Sequence, residues 1–142
     1  MKKILVLNGP NVNMIGKREP ELYGTTTMDD INNLIREEAK RLNVEVDFFQ
    51  SNCIGEMITR IQECLGTVDG IVMNPGGYGH YAYALLDALN AVALPCIEVH
   101  ISNTHAREEF RHHSVIGGAC VGQIIGMGVD GYLFAVQKLA KM

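Results

Sequence analysis

Asp69-Gly-Ile-Val-Met-Asn-Pro-Gly-Gly-Tyr-Gly79 leads through Tyr81–Val92 into Pro95-Cys-Ile-Glu-Val-His-Ile101, and the reading of this stretch decides the fold. Asp69 to Met73 is a short apolar run that opens into the glycine-rich loop Asn74 to Gly79. Tyr81 to Val92 has the length and apolar content of a helix, and Cys96 to Ile101 is a second short apolar run. Two strands separated by a crossover helix lie parallel in one sheet. Their near-continuous apolar character means that both faces of that sheet are covered.

The same alternation extends in both directions. Upstream, Ile4 to Leu7 is a first strand and Val44 to Phe49 a second. Between them a helix is expected from about Thr27, where Thr27-Met-Asp-Asp30 resembles a capping box and Ile31, Leu34, Ile35, Ala39 and Leu42 form an apolar stripe. Met57, Ile58, Ile61 and Leu65 mark another helix that Gly66 should stop. Downstream, Thr104 to His112 reads as a short helix, Ala119 to Ile125 as a fifth strand and Tyr132 to Lys141 as a closing helix. Five strands interleaved with helices give an α/β, flavodoxin-like, doubly wound five-stranded parallel sheet. The 142 residues suit a single domain with one core.

Composition narrows the function classes. With 12 Lys and Arg against 16 Asp and Glu, the formal charge of −4 argues against a nucleic-acid or membrane-surface protein. Any anionic ligand must therefore be held by local arginines. The apolar run after Lys3 ends at Asn8-Gly-Pro10, too early for a signal peptide, and no run approaches the roughly 20 residues of a membrane span. Cys53, Cys64, Cys96 and Cys120 form no C-x-x-C pair and read as reduced thiols of a cytoplasmic protein.

Ligands of such sheets bind outside the carboxyl ends of the strands. Asn8 and Asn11 follow the first strand, Asn74 and His80 the third, and Ser102, Asn103, Arg107 and Arg111 the fourth. Glu98 and His100 lie two apart on a strand and share a face, so the carboxylate can orient the imidazole and leave one ring nitrogen for proton transfer. Arg107 and Arg111, four apart, would form one cationic face of a helix suited to a carboxylate or phosphate. The loop Gly16-Lys-Arg-Glu-Pro-Glu-Leu-Tyr-Gly24 is longer than a connector needs, and residues 16–25 read as an active-site lid. Tyr23 on that lid would act as a base only with its phenol made more acidic by about 2 units, or about 2.7 kcal/mol. One cation such as Arg18 at about 4 Å, with an effective dielectric near 20, supplies ~4 kcal/mol.

Taken together, Asn8-Gly-Pro-Asn11, the 16–24 loop, Asn74-Pro-Gly-Gly-Tyr-Gly-His80, Glu98-Val-His-Ile-Ser-Asn103 and His105-Ala-Arg-Glu-Glu-Phe-Arg111 resemble the type II 3-dehydroquinate dehydratases, in order from about Ile4 to Leu139. The resemblance implies a flavodoxin-like subunit, often a dodecamer built from trimers, that turns 3-dehydroquinate into 3-dehydroshikimate. It implies Tyr23 as the base at C2, Arg18 as the group that keeps its phenolate available, and His100 as the acid at the C1 hydroxyl, oriented by Glu98. Asn11 would hold a water near the developing enolate. Asn74, His80, the Ile101 and Ser102 backbone region and Arg111 would bind the substrate. Asp87 would reach a neighbouring subunit's site, and Arg107 would support the lid. Leu86 stands where the family usually has an arginine. Loss of water beta to a ketone needs a base, an acid and oxyanion stabilisation, with no metal or organic cofactor.

Other signals compete. Gly126-Met-Gly-Val-Asp-Gly131 matches a dinucleotide fingerprint, but too little chain follows for the second strand and distal acid. His105, Glu109 and His113 have helical spacing, yet the H-E-x-x-H order is absent and two arginines oppose a cation. A response-regulator receiver would carry clustered acids after strand one, where this chain has Asn8. The main non-enzymatic alternative is a small-ligand binding module on the same fold.

Overall fold

The apolar runs settle into five parallel strands, β1 (Lys3–Asn8), β2 (Glu45–Gln50), β3 (Gly70–Asn74), β4 (Cys96–His100) and β5 (Gly122–Ile125). Their order in the sheet is β2-β1-β3-β4-β5. This computed structural model describes residues 1–17 and 19–142, and for Leu22 and Tyr23 the backbone alone. The helices are α1 (Pro20–Tyr23), α2 (Met28–Leu42), α3 (Ile54–Gln62), α4 (Tyr83–Val92) and α5 (Asp130–Ala140). The architecture is the expected flavodoxin-like one, with helices on both faces of one sheet.

Alternation along the strands divides the core. Leu5, Leu7, Ile71, Met73 and Cys96 face α3 and α4 through Met57, Ile61, Leu85 and Leu89. Ile4, Val6, Val72, Ile97 and Val99 face α2 and α5 through Ile31, Ile35, Tyr132 and Val136. β1, β3 and β4 are the inner strands, and burial on both sides accounts for their continuous apolar sequences. The α2 capping box is present as expected: Asp30 N–H donates to Thr27 Oγ1 at 3.2 Å and Thr27 N–H to Asp30 Oδ2 at 3.0 Å.

Four boundaries depart from expectation. α3 starts at Ile54 and ends at Gln62, short of Gly66, because residues after it close as successive turns. β5 begins only at Gly122, since Gly117–Ala119 form a 3-10 turn. The first loop is not wholly irregular; Val12–Met14 is a 3-10 turn, and Val12 and Ile15 are buried against the α2/α5 side. The stretch Thr104 to His112 is not one helix. It divides into 3-10 turns at Thr104–Ala106 and Glu109–His112, with Arg107 and Glu108 extended between them. Asn103 Oδ1 takes the His105 N–H, the kind of local side-chain bond that competes with continuous helix.

Among the described residues no helix is long and apolar enough to cross a membrane.

Candidate active site

Parallel register brings the polar strand ends together. Asn8 stands opposite Asn74 across β1 and β3, and Met73 opposite Glu98 across β3 and β4. Asn8 and Asn74 share one buried phenol: Tyr132 donates its hydroxyl to Asn8 Oδ1 at 2.7 Å and accepts from Asn74 Nδ2 at 2.8 Å. Asn74 Oδ1 takes the Gly76 N–H at 3.1 Å, which fixes the loop that carries His80. Burial pushes the Tyr132 phenol well above its ordinary pKa, so it remains a proton donor in this network and is unsuited to act as a base. Tyr132→Phe should destabilise the fold by about 1–3 kcal/mol, because it leaves two buried amides without a shared partner. Urea unfolding measures this.

A cleft of about 290 Å³ opens above these ends. Its floor and walls include Asn11, Asn74, His80, His100, Ile101 and Ser102, and Arg107 and Arg111 also line it. Asn11 adopts the left-handed region at φ 69°, and its N–H is held by Asn52 Oδ1 at 3.0 Å. Close approach of backbones shapes the entrance: a Cβ on Gly76, at φ 59°, would lie 2.8 Å from the Pro10 carbonyl oxygen.

Glu98 and His100 share the α4 side of β4, as their spacing requires. His100 Nε2 lies 2.6 Å from Glu98 Oε2, and His100 lines the cleft. Glu98 is 0% exposed. Burial pushes its carboxyl up, but hydrogen bonds from His100 and Ser114, the His100 charge and a further bond from Gln123 together hold it below the ordinary carboxylate range. The His80 ring stacks on the His100 ring at 5.9 Å between centroids. Burial lowers the His80 pKa; the His113 carbonyl partly offsets this, while the nearby His100 and Arg111 add to the lowering and Glu98 opposes it least. His80 Nδ1 meets the His113 carbonyl at 2.8 Å and so carries the proton there, leaving Nε2 as an acceptor.

Both shifts are downward, so the folded protein binds fewer protons than the unfolded chain just below the ordinary carboxylate and histidine pKa values. Stability should therefore fall as pH drops through these two ranges and level off below the folded values. Thermal unfolding between neutral and acid pH tests that sign; a melting temperature rising on acidification would contradict it.

The arginines reach the cleft from separate turns rather than from one helical face. Arg107 Nη1 donates to Ser102 Oγ at 3.1 Å, and its Nη2 lies 3.8 Å from Glu19 Oε2 on the first loop. Arg111 Nε donates to Glu108 Oε1 at 3.2 Å, and its guanidinium packs on the Phe110 ring. Asp87 is exposed on α4 and lines no part of this cleft. Arg18 and the Tyr23 side chain lie outside the described residues.

The His105 ring lies 5.3 Å from the His112 ring, tilted by 33°. Among the described residues no three or more His, Cys, Asp and Glu side chains are gathered to hold a metal. Sequence reasoning missed Tyr132, Ser114, Gln123 and the buried Thr104 that also lines the cleft. Only Gln123 left a local signal, as a polar residue inside an expected apolar strand.

Against this geometry, the sequence matches the family described as Dehydroquinase class II over residues 2–140. The 3-dehydroquinate dehydratase of Halothermothrix orenii is 51% identical over 142 residues, covering 100% of this chain and 96% of that protein. The type II dehydroquinase structure from Butyrivibrio crossotus superposes with a TM-score of 0.95 at 50% identity, covering 97% of each chain. That from Propionibacterium acnes gives a TM-score of 0.96 at 44% identity, covering 100% of this chain and 98% of that one. Likeness at this level spans every strand end that builds the cleft, and the chain belongs to the class II dehydroquinase family.

Proposed function

We propose that this protein dehydrates 3-dehydroquinate to 3-dehydroshikimate by anti elimination through an enolate, with Tyr23 as base and His100 as acid. The observation that carries the reading is a cleft-lining imidazole fixed by a fully buried carboxylate, in a chain of the class II dehydroquinase family. Tyr23 removes the C2 proton, and the electron pair moves onto the C3 carbonyl oxygen as an enolate. Collapse of the enolate restores the ketone, forms the C1–C2 double bond and expels the C1 hydroxyl, which leaves as water with the proton from His100. With Nε2 engaged by Glu98, the donating atom is Nδ1.

The remaining roles are those the family resemblance implies. Asn11 lines the cleft with its backbone held by Asn52, which suits it to fix a water near the enolate oxygen. Asn74, His80, Ile101, Ser102 and Arg111 surround the space left for the substrate's hydroxyls and carboxylate. Arg18 keeps the Tyr23 phenol acidic, and residues 16–25 form the lid. The ion pair from Arg107 to Glu19 supports that lid from the β4 side. Asp87, exposed on α4, reaches a neighbouring subunit's site in a dodecamer of trimers, and the protein works in the cytoplasm.

Purified protein incubated with 3-dehydroquinate should generate the ultraviolet absorbance of the conjugated enone acid. The rate should be indifferent to chelators and to borohydride added with substrate, since neither a metal nor an imine takes part. Binding of 3-dehydroquinate without any absorbance change would favour the binding-module reading.

A further inference from the structure

Glu98 is gripped on both oxygens, and the two grips differ. Oε2 faces His100 Nε2, whereas Oε1 accepts from Ser114 Oγ at 2.7 Å and from Gln123 Nε2 at 2.9 Å. Neither donor arrives by chance of surface rotation. Ser114 Oγ itself accepts the Gly117 N–H at 3.0 Å, so its proton is directed at the carboxylate. Gln123 stands directly across from Glu98 in the β4–β5 register. A Cβ on Gly117 would lie 3.0 Å from Gln123 Nε2, so the missing side chain there leaves room for the amide.

We propose that Ser114 and Gln123 are positioning residues for the elimination: they hold Glu98 ionised and turned so that Oε2 meets His100 Nε2 and Nδ1 is presented to the departing hydroxyl. This role rests on the acid function proposed for His100. A buried carboxylate with a single partner can rotate about its last bond or take up a proton, and either change releases the imidazole. Two further donors on Oε1 oppose both. The titratable groups around Glu98 are Cys96 and His100 on its own strand, His80 from the loop after β3, and His105, Arg111 and His112 across the second cleft it borders. Among the described residues none of these donates to Oε1, so the two neutral donors have no substitute.

The test uses the full-length protein with Ser114→Ala, Gln123→Met and the hydroxyl-retaining Ser114→Thr. Gln123 is exposed on an edge strand, so its replacement by a side chain of similar length leaves the core intact. Each of the first two should lower kcat about 10-fold, the scale of one hydrogen bond to a charged group. KM should stay within about twofold, because the substrate's own contacts are untouched. Carbon-13 titration of the Glu98 carboxyl should move upward in both, and Ser114→Thr should restore titration and rate. A role in stability alone would lower the melting temperature without moving that titration. An active wild type whose Glu98 titration and kcat are unmoved in both variants overturns the positioning role alone. A wild type inactive on 3-dehydroquinate overturns the reaction assignment and this role with it.

Discussion

Replacing His100 with alanine is expected to lower kcat at least ~100-fold, the scale of a positioned general acid, while substrate still binds. The loss would follow from the acid role proposed for the ring. A hydroxyl is a poor leaving group until it is protonated, and among the described residues that line the cleft His100 alone is braced by a buried carboxylate. Its stacked neighbour His80 lines the same cleft, but burial and the nearby His100 and Arg111 disfavour its cation, and its Nδ1 proton is committed to the His113 carbonyl. His80 is therefore a poor stand-in. Stopped assays over a long time course give kcat, and calorimetric titration with substrate separates binding from turnover. Near-normal kcat in the variant would remove His100 from the acid role.

Tyr23→Phe should cost at least as much, ~100-fold or more in kcat. The substitution removes one oxygen and keeps the ring, so packing changes little and the effect reports proton abstraction. Tyr132 does not replace it, since its hydroxyl is fully buried between Asn8 and Asn74 with its pKa driven up. A deuterium label at C2 of the substrate sharpens the measurement: wash-out of the label should slow in step with kcat. Wash-out at the wild-type rate in Tyr23→Phe would assign the base elsewhere.

Much of the fold was legible because the inner strands are buried on both faces. Ile4 to Leu7, Ile71 to Met73 and Ile97 to Val99 are apolar without interruption except at Glu98, and that exception marked the site. Thr27 announced α2 through a bond that spans only three residues. Relationships of that range leave a mark in local sequence. The break at Arg107 and Glu108 did not, since helix and paired 3-10 turns share the same spacing of polar residues over so short a stretch. Nor did the partners of Glu98, because Ser114 and Gln123 lie 16 and 25 positions away, and Gln123 meets it only where β5 pairs with β4. Tyr132 is the extreme case. It reads as the first apolar residue of a closing helix, yet its hydroxyl joins the ends of β1 and β3 across 124 and 58 positions. Sequence order indicated which strand ends converge, while the side chains that tension them came from parts of the chain with no periodic reason to be singled out.

The most direct test is a structure with a planar substrate analogue that carries the enolate's C2–C3 double bond. The ring should lie in the cleft between Asn11, Asn74 and Arg111, with its C1 hydroxyl against His100 Nδ1 and the Tyr23 hydroxyl over C2 on the opposite face. An analogue bound elsewhere, or Tyr23 and His100 on surfaces that share no ligand even across subunits, would contradict the account.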